Sequence, residues 1–139
     1  MVIKYQIFVD KNLLIVKYEG VFNIEKYKAQ VLDVIQKPEW NSIHKILTDL
    51  RSVTINNGPE VIDEIIDIKE NSIKKKHISV QLVNKPTITA LSHLLQLELN
   101  NKDFETDFCS SVKKSIKLLE LNDEEIEFEK ILSSLEHTF

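Results

Sequence analysis

Asp49 and Arg51 stand two apart in the run KILTDLRSVTINNGPE, and they are the first pair that chemistry would examine. On a strand, residues two apart share a face. Their carboxylate and guanidinium are therefore placed to pair with each other or with neighbours. Such a pair does not make acid–base machinery, which needs two titratable groups with pKa values driven apart. The spacing places no second carboxylate beside Asp49, so the pair reads as structural. Polar residues follow: Ser52, Thr54, Asn56, Asn57 and Gly58. Asn84, Lys85, Thr87, Ser110 and Ser111 fall just after other strand-like runs. In open α/β sheets, ligands gather at the carboxyl ends of strands, near helix N-termini. Those residues would form a rim suited to an anion or a phosphorylated group. The same residue types also cap helices and shape turns, and each has such a local reason to be there.

The remaining candidates are sparse. His44, His77, His93 and His137 show no metal spacing such as H-x-x-x-H or H-E-x-x-H. Cys109 just precedes a helix, where a thiol can be activated, but a lone cysteine there also serves as a small buried apolar residue. The two glycines, Gly20 and Gly58, cannot build a dinucleotide fingerprint, a P-loop or a nucleophile elbow. No catalytic residue, metal or cofactor is implied, and the expectation is a non-enzymatic protein.

Composition sets the frame for these side chains. The 139 residues suit one domain, with 42% hydrophobic and 29% charged residues, 2 Gly and 3 Pro. One cysteine excludes an internal disulfide. No secretory signal is visible and no apolar run is long enough to span a bilayer, so a cytoplasmic location without membrane insertion is expected. The net charge is −4, and from Glu120 onward seven acids face Lys130 alone. Neither the whole nor the remainder carries the basic face that nucleic acid requires.

The elements follow from periodicity. Residues 3–9 and 13–19 alternate as two strands around Asp10-Lys11-Asn12, a hairpin turn with Asn12 suited to a left-handed position. Asn23 caps a helix that Pro38 stops. Residues 45–50 are a nearly continuous apolar run, as in a strand buried on both faces. Pro59 opens a helix with Ile62, Ile65, Ile66 and Ile73 on one side and Glu60, Asp63, Glu64, Asp67 and Glu70 mostly on the other. A strand over Ile78–Leu82, a helix with Ile88, Leu91, Leu95 and Leu99, and a short strand at Phe104–Phe108 come next. Ser110 or Ser111 caps a further helix. Asn122 with Glu125 suggests a capping box for a last acidic helix over 123–136, with Phe128, Ile131, Leu132 and Leu135 on one stripe. The expected fold class is α/β: a single domain, 1–139, with a mixed five-stranded sheet, an N-terminal β-hairpin and flanking helices.

That order, with "ILTDLRSVTINNG" after the first helix and "FCSSVKKSIKLLEL" near the end, resembles the STAS family of sulfate-transporter and anti-sigma-factor-antagonist domains, in its small standalone bacterial branch. The resemblance covers residues 1–121 as a topology, which makes the 123–136 helix an addition. It implies a regulatory module that binds an unidentified protein partner. The contact surface would be the Arg51–Gly58 loop with Asp63 and Asp67 on the following helix. Phospho-regulated members carry Asp-Ser-Ser/Thr-Gly where this chain has Asn56-Asn57-Gly58, so the usual phosphoacceptor is replaced. Ser52 and Thr54 remain the candidate phosphoacceptors in that segment. The apolar stripe of the added helix would pack on its own domain or pair two copies in a homodimer. An alternative function is a small-ligand or lipid-binding module like the CRAL-TRIO domains, with helices 88–99 and 123–136 gating a pocket.

Overall fold

A computed structural model describes residues 1–102 and 104–139. Strands β1 (Val2–Phe8) and β2 (Leu13–Val21) form the antiparallel hairpin. Asn12 closes its turn at φ 53°, the left-handed conformation that asparagine tolerates. Helix α1 (Ile24–Ile35) begins where the Asn23 side chain accepts from the Lys26 N–H at 2.9 Å. Strand β3 (Lys45–Thr54), helix α2 (Glu60–Ser72), strand β4 (Ile78–Leu82), helix α3 (Pro86–Asn100) and strand β5 (Glu105–Cys109) then alternate. Helices α4 (Val112–Leu118) and α5 (Glu125–Ser133) follow, then a two-residue strand β6 (His137–Thr138). Ser111, not Ser110, caps α4 by accepting from the Lys114 N–H.

The sheet has six strands in the order β5-β4-β3-β2-β1-β6, one more than the five expected. The extra strand comes from the tail. His137 and Thr138 pair antiparallel with Tyr5 and Lys4, and the Phe139 N–H donates to the Ile3 carbonyl at 2.8 Å. Two residues carry no readable alternation, so periodicity could not announce them. From β2 to β5 all neighbours are parallel. The carboxyl ends of β3, β4 and β5 therefore meet at one edge.

Helices α1, α2 and α3 cover one face of the sheet. Tyr27, Val31, Ile62, Ile66, Leu91 and Leu95 pack there against Leu14, Val16, Ile46 and Leu50. Helices α4 and α5 cover the other face, where Ile116, Leu119, Phe128 and Leu132 meet Leu13, Ile15, Leu47 and Leu82. The middle of the sheet is thus covered on both faces, as the nearly continuous apolar run of β3 implied.

The last helix is shorter than the 123–136 predicted, and the Asn122–Glu125 capping box does not form. Glu124 is the N-cap residue and makes no side-chain cap bond. Asp123 is drawn instead to Lys11 in the hairpin turn, which holds the chain before α5 extended. The apolar stripe of α5 is spent on its own sheet: Phe128 is fully buried and Leu132 nearly so. Ile126 points away, 71% exposed. A homodimer formed through the stripe would have to remove it from this core.

Truncating Phe128→Ala should cost about 3–5 kcal/mol, the range for emptying a buried aromatic site. Ile126→Ala should stay within about 0.5 kcal/mol, as for an exposed position. Urea denaturation of the two variants measures the contrast.

Candidate functional site

Strand β3 runs to Thr54 rather than ending near residue 50. Lys17 of β2 pairs with Asp49 and Glu19 pairs with Ser52, so β3 carries one residue more than β2 over that stretch. This bulge resets the alternation. Leu50 and Val53, three apart, both reach the core under α1–α3. Ser52 and Thr54, expected in a loop, are exposed residues of the strand end.

Asp49 lies at the start of the bulge, with 0% exposure. Arg51 answers it at three points. The Arg51 backbone N–H donates to Oδ1 at 3.1 Å, Nε to Oδ1 at 3.0 Å and Nη2 to Oδ2 at 2.9 Å. Nη1 reaches out to Glu129 Oε1 of α5 at 3.3 Å. Hydrogen bonding to Asp49 raises the pKa of the guanidinium further above its already high value, outweighing the opposing effect of burial. The pair is the structural pair the spacing implied. Its guanidinium is engaged by two carboxylates.

The rest of the predicted rim falls into two groups. Some members are occupied. Lys85 Nζ donates to the Val53 carbonyl at 3.1 Å, and Ser111 caps α4. Cys109 is buried, burial raises its thiol pKa, and its sulfur donates to the Ser111 carbonyl at 3.5 Å. Such a thiol is not activated. Other members are open. Asn56, Asn57, Asn84, Thr87 and Ser110 are exposed. Gly58 turns the chain into α2 at φ +62°, a conformation that favours glycine. Beyond it, Glu60, Asp63, Glu64 and Asp67 are exposed along one side of α2. Ser52 and Thr54 at the strand end, Asn56 and Asn57 in the turn, and the α2 acids are thus all exposed, while Asp49 is buried and held by Arg51. Among the described residues, no group of three or more His, Cys, Asp or Glu side chains could hold a metal ion.

Periodicity also held a feature that composition concealed. A cavity of about 80 Å³ lies between the sheet and α1, α2 and α3. Val16, Thr48 and Gln81 line it from registered positions on β2, β3 and β4. Tyr27, Gln30, Ile55, Leu91, Ser92 and Lys69 are among the side chains that complete it. Helix α3 contributes as the ligand-binding alternative expected, but the C-terminal helix does not, because α5 lies on the opposite face. Lys69 is only 8% exposed, and its side chain has no ion pair or hydrogen bond among the described residues. Burial lowers its pKa to about 8. The signal was present in the sequence: Lys69 follows Ile62, Ile65 and Ile66 by seven, four and three residues, on the buried stripe.

His77, at the end of this helix–strand connection, is buried, and its Nδ1–H donates to the Lys75 carbonyl at 3.0 Å. Desolvation first, then the charge of Lys69, lowers its pKa to about 4. On the cavity wall, Gln81 Oε1 has no hydrogen-bond partner. Ser79 Oγ, also on β4 and buried, lacks one too.

No family model and no curated protein matches the sequence. The fold does have a counterpart among solved structures. The anti-sigma factor antagonist SpoIIAA, in its unphosphorylated form, superposes with a TM-score of 0.51 at 9% identity, over 85% of this chain and 97% of that one. The fold is that of a STAS domain, as the order of elements implied. No helix is long and apolar enough to cross a membrane among the described residues.

Arg51→Ala would strand the buried Asp49 carboxylate. A loss of about 3 kcal/mol is expected, the low end for breaking a buried pair because Arg51 is itself partly in water. Chemical denaturation reads it. Lys69 sets a second test. Between pH 8 and 10.5 the unfolded chain holds a proton on Lys69 that the folded chain has released, so stability climbs as pH rises through that window. Below pH 8 the penalty is complete. Lys69→Met should therefore stabilise the protein by about 3 kcal/mol at pH 7. The gain over the unsubstituted protein should fade toward pH 10.5. His77 works in the same sense at lower pH, its contribution being lost as pH falls from 6.5 to about 4. Urea midpoints across pH, compared between the two proteins, isolate the lysine.

Proposed function

We propose that this chain is a non-enzymatic, cytoplasmic regulatory module of the STAS type that acts by binding a protein partner. The reading is carried by one observation. The polar side chains from Ser52 and Thr54 through Asn56 and Asn57 to Asp63 and Asp67 are exposed, while Asp49, Arg51 and Cys109, the groups that could act chemically, are already engaged by protein partners. A surface that is built and not activated suits recognition better than catalysis. The structural counterpart supports it, since SpoIIAA is described as an antagonist of an anti-sigma factor and was captured unphosphorylated. In this chain the exposed strand-end hydroxyls of Ser52 and Thr54 are the candidate phosphoacceptors. Added phosphate there would place new negative charge at that strand end and repel an acidic partner patch.

A second reading, a small-ligand-binding module, rests on the cavity and its uncompensated lysine.

Double charge reversal, Asp63→Lys with Asp67→Lys, tests the first reading. Both side chains are exposed, so the urea midpoint should barely move. Partner proteins retained by the immobilised wild-type domain should be lost from the variant. An identical set of retained proteins on both would refute the surface assignment.

A further inference from the structure

We propose that the cavity between the sheet and α1, α2 and α3 binds a small carboxylic acid with a short apolar body, its carboxylate seated against the Lys69 ammonium. This deepens the small-ligand reading and depends on it.

Three observations converge on that class. The first is charge. Lys69 is more than nine-tenths buried, faces the cavity and has no anionic partner among the described residues. The acids of its own helix lie elsewhere: Asp63, Glu64 and Asp67 are exposed, and Glu70 pairs with Lys102 at 3.0 Å. An amine with a pKa of about 8 still carries its proton at neutral pH for most of the time. An uncompensated buried cation is costly, and a carboxylate entering the cavity would offset that cost directly.

The second observation is polarity. Gln81, Ser92 and Thr48 line the same cavity, and their side-chain N–H₂ and hydroxyl groups are donors for a carboxylate, which only accepts. Buried polar atoms in native proteins are nearly always paired. A cavity that joins an unpaired side-chain ammonium to amide and hydroxyl donors is a polar end suited to an anion. Elsewhere the lining is aliphatic and aromatic, with Val31, Leu91 and Leu95 among its members.

The third observation is size. The cavity measures about 80 Å³. An engineered apolar cavity of about 150 Å³ holds benzene. Roughly half that volume suits a body of about three or four carbons. A long-chain fatty acid does not fit.

Butyrate is the probe, with 1-butanol and butanamide as uncharged relatives of the same length and octanoate as the size control. Binding to the full chain at pH 7 is followed by the methyl resonances of Val31, Leu91 and Leu95. Butyrate should shift them and bind about tenfold tighter than either uncharged relative, the margin expected for one charge-assisted contact. Octanoate should bind more weakly than butyrate. Lys69→Met should lose about tenfold in butyrate affinity while keeping its affinity for 1-butanol. Should that variant fail to fold, transferred magnetisation between the butyrate methyl and Leu91 in the wild type decides alone: its presence supports the site and its absence overturns it. If 1-butanol binds and butyrate does not, the carboxylate class is wrong while the small-ligand reading survives. If no probe binds, both fall.

Discussion

A single buried carboxylate organises much of this molecule. Asp49 sits with 0% exposure in the middle of the sheet, where an uncompensated charge would be intolerable. Arg51 compensates it from two residues away, and its backbone N–H can do so because β3 bulges there. The same guanidinium then reaches Glu129, tying the last helix to the strand whose end forms the exposed polar surface. The bulge, the position of α5 and the placement of Ser52 outside the core all meet at one ion cluster. Its geometry, with parallel guanidinium contacts to both carboxylate oxygens, is the kind that lysine could not reproduce.

The two faces of the sheet are finished differently. Under α4 and α5 the apolar packing around Phe128 and Leu119 is joined by two fully buried polar side chains, Ser115, whose hydroxyl donates to the Val112 carbonyl at 2.9 Å, and Asp49, which Arg51 answers. Under α1–α3 the protein tolerates Lys69, Gln30, Gln81 and Ser92 in its interior. The rule that buried polar groups are paired is kept at Asp49 and Ser115 and broken under α1–α3, at the Lys69 side chain and the Gln81 oxygen. Natural sequences tend to break such rules where something other than stability is being served.

How much of this could be read beforehand depended on how local each cause was. Asn12 and Asn23 act on their own neighbours, and their turn and cap were legible from residue type and position, whereas the α4 cap was legible only as one of two adjacent serines. The order of elements along the chain and the parallel pairing followed from strands joined through helices. The length of β3 was hidden by its bulge, which moves Val53 inward and spoils simple alternation. Ser52 and Thr54 then looked like loop. The start of α5 was hidden because Asp123 answers a lysine 112 residues away rather than the adjacent helix. The site residues split the same way. Asp49 and Arg51 were recognisable as a pair by spacing. Lys69 was passed over because its identity says surface, although its phase on α2 says core.

Strand β6 has a further consequence for how the molecule can meet others. It is only two residues long, and it covers β1 at Lys4 and Tyr5. The opposite border, β5, carries Glu105 and Asp107. A short strand at one border and acidic side chains at the other are the usual defences against recruiting a foreign strand. Neither border therefore invites a visitor to extend the sheet, and the molecule's sociable parts are its helix faces and the turns between them.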